Sequence, residues 1–286
     1  MSGKRLDLYD RVAEETASIV IHRYSTSFGL ASRLLGASVR QHVENIYALV
    51  RIADEIVDGP ATEAGLDTVA AARQLNELER ETENAIEGGF SANLVVHAFA
   101  LTARDVAFGT ELTAPFFESM RADLTETEHD QASFDRYVYG SAEVVGLMCL
   151  AAFLHGETVD DRPKLQRGAQ ALGAAFQKVN FLRDLSADFE TLGRSYFPGV
   201  SVDSFTEEDK NRLLDDIDAD LAVSAAVVPE LPKSSRRAVA LAQGLFAELA
   251  VRLRKTPASE LVRARVRVPN PVKARLALSA ALGGKP

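Results

Sequence analysis

The chain has 286 residues, 47% of them hydrophobic and 26% charged, with a net charge of −9 and a single cysteine. This composition is that of a folded globular protein, and it argues against global disorder. Cys149 alone cannot form an internal disulfide framework or a Cys-based zinc site. The negative charge opposes generic nucleic-acid binding, where a basic surface supplies most of the affinity.

Residues 1–23 mix charges throughout and lack the continuous apolar segment of a secretory signal. The longest uncharged apolar run, Val144 to Leu154, is 11 residues, short of the ~20 that a spanning helix needs. A cytoplasmic location is expected, with peripheral membrane contact as the alternative. Proline inside a helix costs ~3 kcal/mol, so the proline-free stretches 1–59, 61–114, 116–162 and 164–197 are where long helices are expected. Glycine and proline place loops at 59–65, 88–91, 156–163 and 193–204, and Ser204 followed by Glu207 reads as a capping box. Strand-like alternation is confined to residues 263–268. The expectation is one all-α domain over 1–286, with roughly eight to ten helices.

Within the first stretch, residues 38–58 carry Val39, Val43, Ile46, Val50, Ala53 and Val57 at helical spacing, a core-facing stripe. One residue further round lie Tyr47, Arg51, Asp54 and Asp58. A step of one residue is about 100° of rotation, so this polar stripe flanks the buried one. Asp54 and Asp58 stand one turn apart, an arrangement that disfavours a helix by a few tenths of a kcal/mol unless something compensates.

The same pattern recurs in residues 172–190. Leu172, Ala175, Val179 and Leu182 form the apolar stripe, rejoined by Phe189, and Gly173, Gln177, Asn180, Asp184 and Asp188 flank it. Arg183 precedes the first aspartate as Arg51 precedes Asp54. Oxygen-only donors on successive turns suit a hard divalent cation, magnesium in particular, which binds through a few carboxylates and substrate phosphates. Further on, Asp215–Asp220 reads as a solvated acidic helix face. Residues 251–286 carry nine Lys or Arg against the single Glu260, a net +8 that leaves −17 for residues 1–250. Such a tail suits an anionic ligand or lipid surface, or else a solvated end.

Three segments together resemble the squalene/phytoene synthase family: Tyr24-Ser-Thr-Ser-Phe28, Tyr47-Ala-Leu-Val-Arg-Ile-Ala-Asp-Glu-Ile-Val-Asp58 and Gln177-Lys-Val-Asn-Phe-Leu-Arg-Asp-Leu-Ser-Ala-Asp188. The resemblance extends over about residues 10–275. It implies an all-α isoprenoid synthase bundle with a central cavity. It also implies that Asp54, Asp58, Asn180, Asp184 and Asp188 hold magnesium ions, or manganese, bridging two prenyl diphosphates, with the four aspartates catalytic. Tyr24, Ser25, Thr26, Ser27, Tyr47, Arg51 and Arg183 would contact the diphosphates, with Gln177 close by as a further substrate-binding residue. Phe28, Val145, Gly146, Leu172 and Gly173 would line the channel for the isoprenoid tails, and Arg194 and Tyr196 are further substrate-binding candidates.

The expected activity is head-to-head condensation of two geranylgeranyl diphosphates to phytoene, through a cyclopropyl diphosphate and with release of pyrophosphate. One alternative is squalene or dehydrosqualene synthesis from farnesyl diphosphate, with NADPH entering only for squalene. Another is a non-catalytic assembly factor of the same fold, although such relatives lose the aspartates that this sequence keeps. A class I terpene cyclase is disfavoured, since Asp184 and Asp188 stand where Ser and Glu would be expected. Departures from the family pattern are Phe246 in place of a tyrosine near the diphosphates and Glu143 in place of a glycine. Lys178 is read as a surface residue, with diphosphate contact as the alternative. The five histidines show no metal spacing, and Cys149 is expected to be a buried, inert thiol.

Overall fold

The computed structural model describes residues 3–187 and 195–283, and at positions 26, 27, 186, 187 and 202 the backbone alone. Asp188, Phe189 and Arg194 lie outside the described residues. The described elements are α1 (Gly3–Tyr24), α2 (Thr26–Ser32), α3 (Ala37–Asp58), α4 (Pro60–Glu63), α5 (Thr68–Gly88), α6 (Leu94–Val106), α7 (Thr110–Ala122) and α8 (Gln131–Val138). A π-helical turn (Tyr139–Glu143) joins α8 to α9 (Val144–Phe153). Then come α10 (Arg162–Ala187), α11 (Glu207–Val227), α12 (Lys233–Lys255), α13 (Ala258–Leu261) and α14 (Asn270–Ala281).

The fold is all-α. Among the described residues no strand occurs, only one isolated bridge between Glu128 and Ser195. None of the described helices is long and apolar enough to cross a membrane. There are more helices than the proline positions indicate, because polar caps and left-handed residues also punctuate the chain. Asp67 opens α5 by accepting from the Ala70 amide, and Asn93 opens α6 by accepting from Val95 and Val96. Ala107, at φ 60°, closes α6. The expected loop at 59–65 contains α4, and Pro115 sits inside α7. The capping box of α11 is Thr206 with Asp209, not Ser204 with Glu207. Ser204 instead ends a short 3₁₀ turn.

Two buried cores flank the centre. One, built from α1, α3, α5, α6, α7 and α9, holds Phe99, Phe116, Phe117, Ile46 and Leu49. The other, from α8, α10, α11 and α12, holds Val179, Leu182, Leu214, Ile217 and Leu253. The stripe expected on residues 38–58 is buried at Val39, Ile46, Ala53 and Val57, while Val43 and Val50 face a cavity instead. Ion pairs lock α11 to its neighbours. Lys178 Nζ reaches Asp216 (2.6 Å) and Asp220 (2.8 Å), and Arg254 reaches Asp215 and Asp218 (2.8 Å each). The acidic run 215–220 is exposed at Asp215, Asp216 and Asp218, as expected of a solvated face, and it also ties α11 to α10 and α12. Lys178, 13% exposed, is neither a surface lysine nor turned toward the aspartate stripe.

Helices α9 and α10 pack antiparallel at very close range. A Cβ on Gly146 would lie 2.5 Å from the Ala169 carbonyl oxygen, and one on Gly173 would lie 2.5 Å from that of Ala142. Only glycine permits this approach at either position.

Candidate functional site

A cavity of about 290 Å³ lies between the two cores, walled by α1, α2, α3, the π turn, α9, α10, α11, the 3₁₀ turn at Val228–Glu230 and α12. On α10 its lining runs from Leu165 to Asn180, about 22 Å at the helical rise per residue. One end is apolar: Leu150, Leu165, Val227, Val228, Leu231 and Val239 close it as a single packed cluster. At the other end Tyr47 of α3 and Gln177 and Asn180 of α10 supply polar groups.

Both aspartate-bearing helices run in the same sense along this cavity, since each begins near the apolar floor and ends at the polar mouth. Within about two turns past the last lining residues, Val50 and Asn180, stand Arg51, Asp54 and Asp58 on α3, and Arg183 and Asp184 on α10. Each set contains its own ion pair. Arg51 Nη1 lies 2.8 Å from Asp54 Oδ2, and its other terminal nitrogen bonds Glu55. Arg183 Nε lies 3.0 Å from Asp184 Oδ1, and Arg265 Nε reaches the same oxygen at 2.7 Å. Arg51 also sits over the Tyr24 ring, 4.6 Å from its centroid.

The remaining members of the first segment sit close by. Ser25 accepts from the Phe28 amide at 3.0 Å as the N-cap of α2, and its side chain also reaches Tyr47. Burial raises the Tyr47 phenol above its ordinary pKa, against the pull of Arg51. Of Thr26 and Ser27 only the backbone is described, in the first turn of α2. Phe28 packs against Tyr47, Phe176 and Phe246, with centroids at 6.3, 5.8 and 5.9 Å. Phe28, Val145, Gly146, Leu172 and Gly173 all line the cavity, as does Cys149, whose thiol burial pushes up to about 12.

Tyr196 is placed elsewhere. Its ring stacks on Phe181 at 3.9 Å and its hydroxyl donates to Asp123, which also accepts from Tyr137 at 2.8 Å. It lines the buried core, not the cavity. Glu143, in the π turn, accepts from the Gln170 amide at 3.0 Å, and burial raises its carboxyl above the usual range.

Sequence reading missed Arg265. The alternation at 263–268 forms no strand; it turns Val266 and Val268 onto the core and leaves the arginines outside, where Arg265 meets Asp184. A second, basic groove of about 350 Å³ opens there, lined by Arg183, Arg265, Arg267 and Lys273, with Phe246 in its wall. Phe246 stacks on Phe176 at 3.8 Å, so the ring position is kept while a tyrosine hydroxyl is replaced by a groove rich in cationic donors.

The donors on the two polar stripes fit a hard divalent cation chemically, being carboxylates and one amide oxygen. Among the described residues no group of three or more His, Cys, Asp or Glu is gathered closely enough to hold a metal; arginines occupy Asp54 and Asp184 instead. The Arg51 Nε is buried without an acceptor, which is the kind of orphan donor an anionic oxygen would satisfy.

The family profile described as squalene/phytoene synthase matches residues 21–271. The chain belongs to this family. Squalene/phytoene synthases are prenyltransferases, and the neighbours in structure carry the same fold. A dehydrosqualene synthase superposes with a TM-score of 0.79 at 22% identity, covering 96% of this chain and 97% of its own. A squalene synthase from Alicyclobacillus acidocaldarius superposes with a TM-score of 0.74 at 20% identity, covering 87% and 95%. In sequence, a 15-cis-phytoene synthase from Enterobacter agglomerans is 28% identical over 80% of this chain and 82% of its own. One from Paracoccus sp. is 27% identical over 84% and 82%.

Proposed function

We propose that this prenyltransferase condenses two molecules of geranylgeranyl diphosphate head to head, forming phytoene through a cyclopropyl diphosphate and releasing pyrophosphate. The observation that carries the proposal is the cavity itself: a long apolar chamber capped at one end by two parallel sets of carboxylates and arginines. The choice of a twenty-carbon substrate rests on the phytoene synthases similar to this chain.

Asp54, Asp58, Asn180, Asp184 and Asp188 would hold magnesium, or manganese, which when bound neutralises the diphosphates and assists their departure. The chain's own residues do the rest. Arg51 and Arg183, each bonded to an aspartate of this set, would place two guanidinium groups beside a bound diphosphate. Arg51 Nε and the Tyr47 hydroxyl give further donors at the mouth, and Gln177 orients the substrate beside them. Charge that develops on the allylic carbon as the diphosphate leaves meets the faces of Phe28, Phe176 and Tyr47, which favour a cation. The apolar walls keep water from quenching it.

The test is a product assay with purified protein, magnesium and either geranylgeranyl or farnesyl diphosphate, with and without NADPH. Phytoene from the longer substrate, indifferent to NADPH, supports the proposal. A thirty-carbon hydrocarbon as the preferred product would overturn the chain length, and absence of pyrophosphate release from both would overturn the activity.

A further inference from the structure

Of the buried polar side chains that lack a hydrogen-bond partner among the described residues, Ser141 of the π-helical turn alone lines the cavity. A serine inside a helix commonly returns its proton to the carbonyl four residues earlier. That carbonyl, of Tyr137, instead accepts from the Ser119 hydroxyl at 3.1 Å. The π winding, with the Val144 amide donating to the Tyr139 carbonyl, also takes the local ladder out of its α-helical register. The turn has little freedom to relieve this. A Cβ on Gly140 would lie 2.2 Å from the Pro115 carbonyl oxygen of α7, and one on Gly173 of α10 would lie 2.5 Å from that of Ala142. Ser141 is thus clamped between two helices.

The same contacts set its depth. Ala142 meets Gly173, so Ser141 stands about one helical turn, ~6 Å, inward of Gln177 at the polar mouth. Phe28, Phe176 and Tyr47 line this end as well. A diphosphate held at the mouth puts its own reacting carbon and first isoprene unit at this level. Burying a hydroxyl without a partner disfavours the folded chain, so such a group points to something that satisfies it. The hydrocarbon tail has no polar atom to offer, but the charge that develops on it during reaction does attract an oxygen.

We infer that Ser141 is a catalytic residue of the condensation proposed above, on which this role rests: its hydroxyl oxygen faces the allylic cation. As the bond from C1 to the diphosphate oxygen breaks, its electron pair leaves with the diphosphate. The lone pairs of Ser141 Oγ then offset the positive charge left on carbon, with no bond formed to the serine. The interaction exists in the transition state and not in the free protein, so it raises kcat rather than affinity.

The experiment pairs thermal melting of the free protein with steady-state pyrophosphate release from geranylgeranyl and farnesyl diphosphate, for the parent, Ser141→Ala and Ser141→Thr. Removing an unsatisfied hydroxyl should raise the melting temperature of Ser141→Ala by about 2–4 °C. Its kcat should nevertheless fall about tenfold at unchanged KM. Ser141→Thr, which keeps the hydroxyl, should recover most of the lost kcat. An active parent with Ser141→Ala equally active overturns the role of Ser141 alone. So does a melting temperature that falls together with kcat, which would mark the hydroxyl as structural. A raised KM at unchanged kcat, or Ser141→Thr no faster than Ser141→Ala, overturns it too. A parent that releases no pyrophosphate from either substrate overturns the condensation itself, and the role of Ser141 with it.

Discussion

Arg51 and Arg183 each lie just before an aspartate in sequence, and each is bonded to that aspartate in space. The spacing rules of a helix made the first pair readable, because residues three apart share a face. Asp54→Asn and Asp184→Asn should each lower pyrophosphate release about a hundredfold or more, the scale for losing one preorganised electrostatic group, with melting temperatures within a few degrees of the parent. Undiminished pyrophosphate release in both variants would remove these aspartates from the catalytic machinery. Arg265 was not readable in the same way: it reaches Asp184 across 81 positions of chain, and no local periodicity encodes such a contact. Glu143 offers a pH test. Its raised carboxyl binds a proton more tightly in the folded state than in the unfolded one, so its ionisation subtracts stability as pH rises above the ordinary glutamate range. Glu143→Gln should therefore flatten the fall of melting temperature between pH 4 and pH 7, and gain most at the upper end. At the Cys149 thiol, a pKa of about 12 leaves about one part in ten thousand as thiolate at pH 8. Iodoacetamide should label it far more slowly than free cysteine, as intact-mass spectra over time would show.

At the level of elements, the two aspartate helices were legible because a polar stripe one step from an apolar one can only sit at the edge of a core, and both do. The acidic run 215–220 faces solvent as its sequence indicates, but its ties to Lys178 and Arg254 were not legible, because those partners lie on other helices and sequence periodicity carries no information about a neighbour's charges. The π turn and the contact of α9 with α10 were also invisible, since backbone approach depends on two distant glycines at once. Gly173→Ala would force a methyl group against the Ala142 carbonyl, and the helices must separate to admit it. Overpacking of this kind costs about 1–3 kcal/mol. Urea unfolding should show that loss, accompanied by a changed product profile because the same residue lines the cavity. Gly88→Ala, with nothing within 4 Å of the added carbon, is the control expected to leave both unchanged.

Across the whole molecule, the all-α plan followed from composition and proline spacing, but the cavity did not: its walls come from elements spread from α1 to α12, and only the assembled chain encloses it. Ligand linkage reads that assembly directly. Magnesium pyrophosphate, bound as one complex at a hundredfold excess over its dissociation constant, should stabilise the protein by about 2.7 kcal/mol, which at this size corresponds to a rise in melting temperature of about 5 °C. Chelation of the metal should abolish the rise, and Asp54→Asn should reduce it. The long wall of α10 has one more consequence. Leu165, Ala169, Leu172 and Phe176 all face the chamber and succeed one another by a single helical turn, from floor to mouth. They are rungs about 5.4 Å apart, so the depth open to a hydrocarbon changes in steps rather than continuously. Enlarging the side chain on one rung, as in Ala169→Phe, shortens the chamber from that rung downward, and the product spectrum should shift to shorter chains by whole isoprene units.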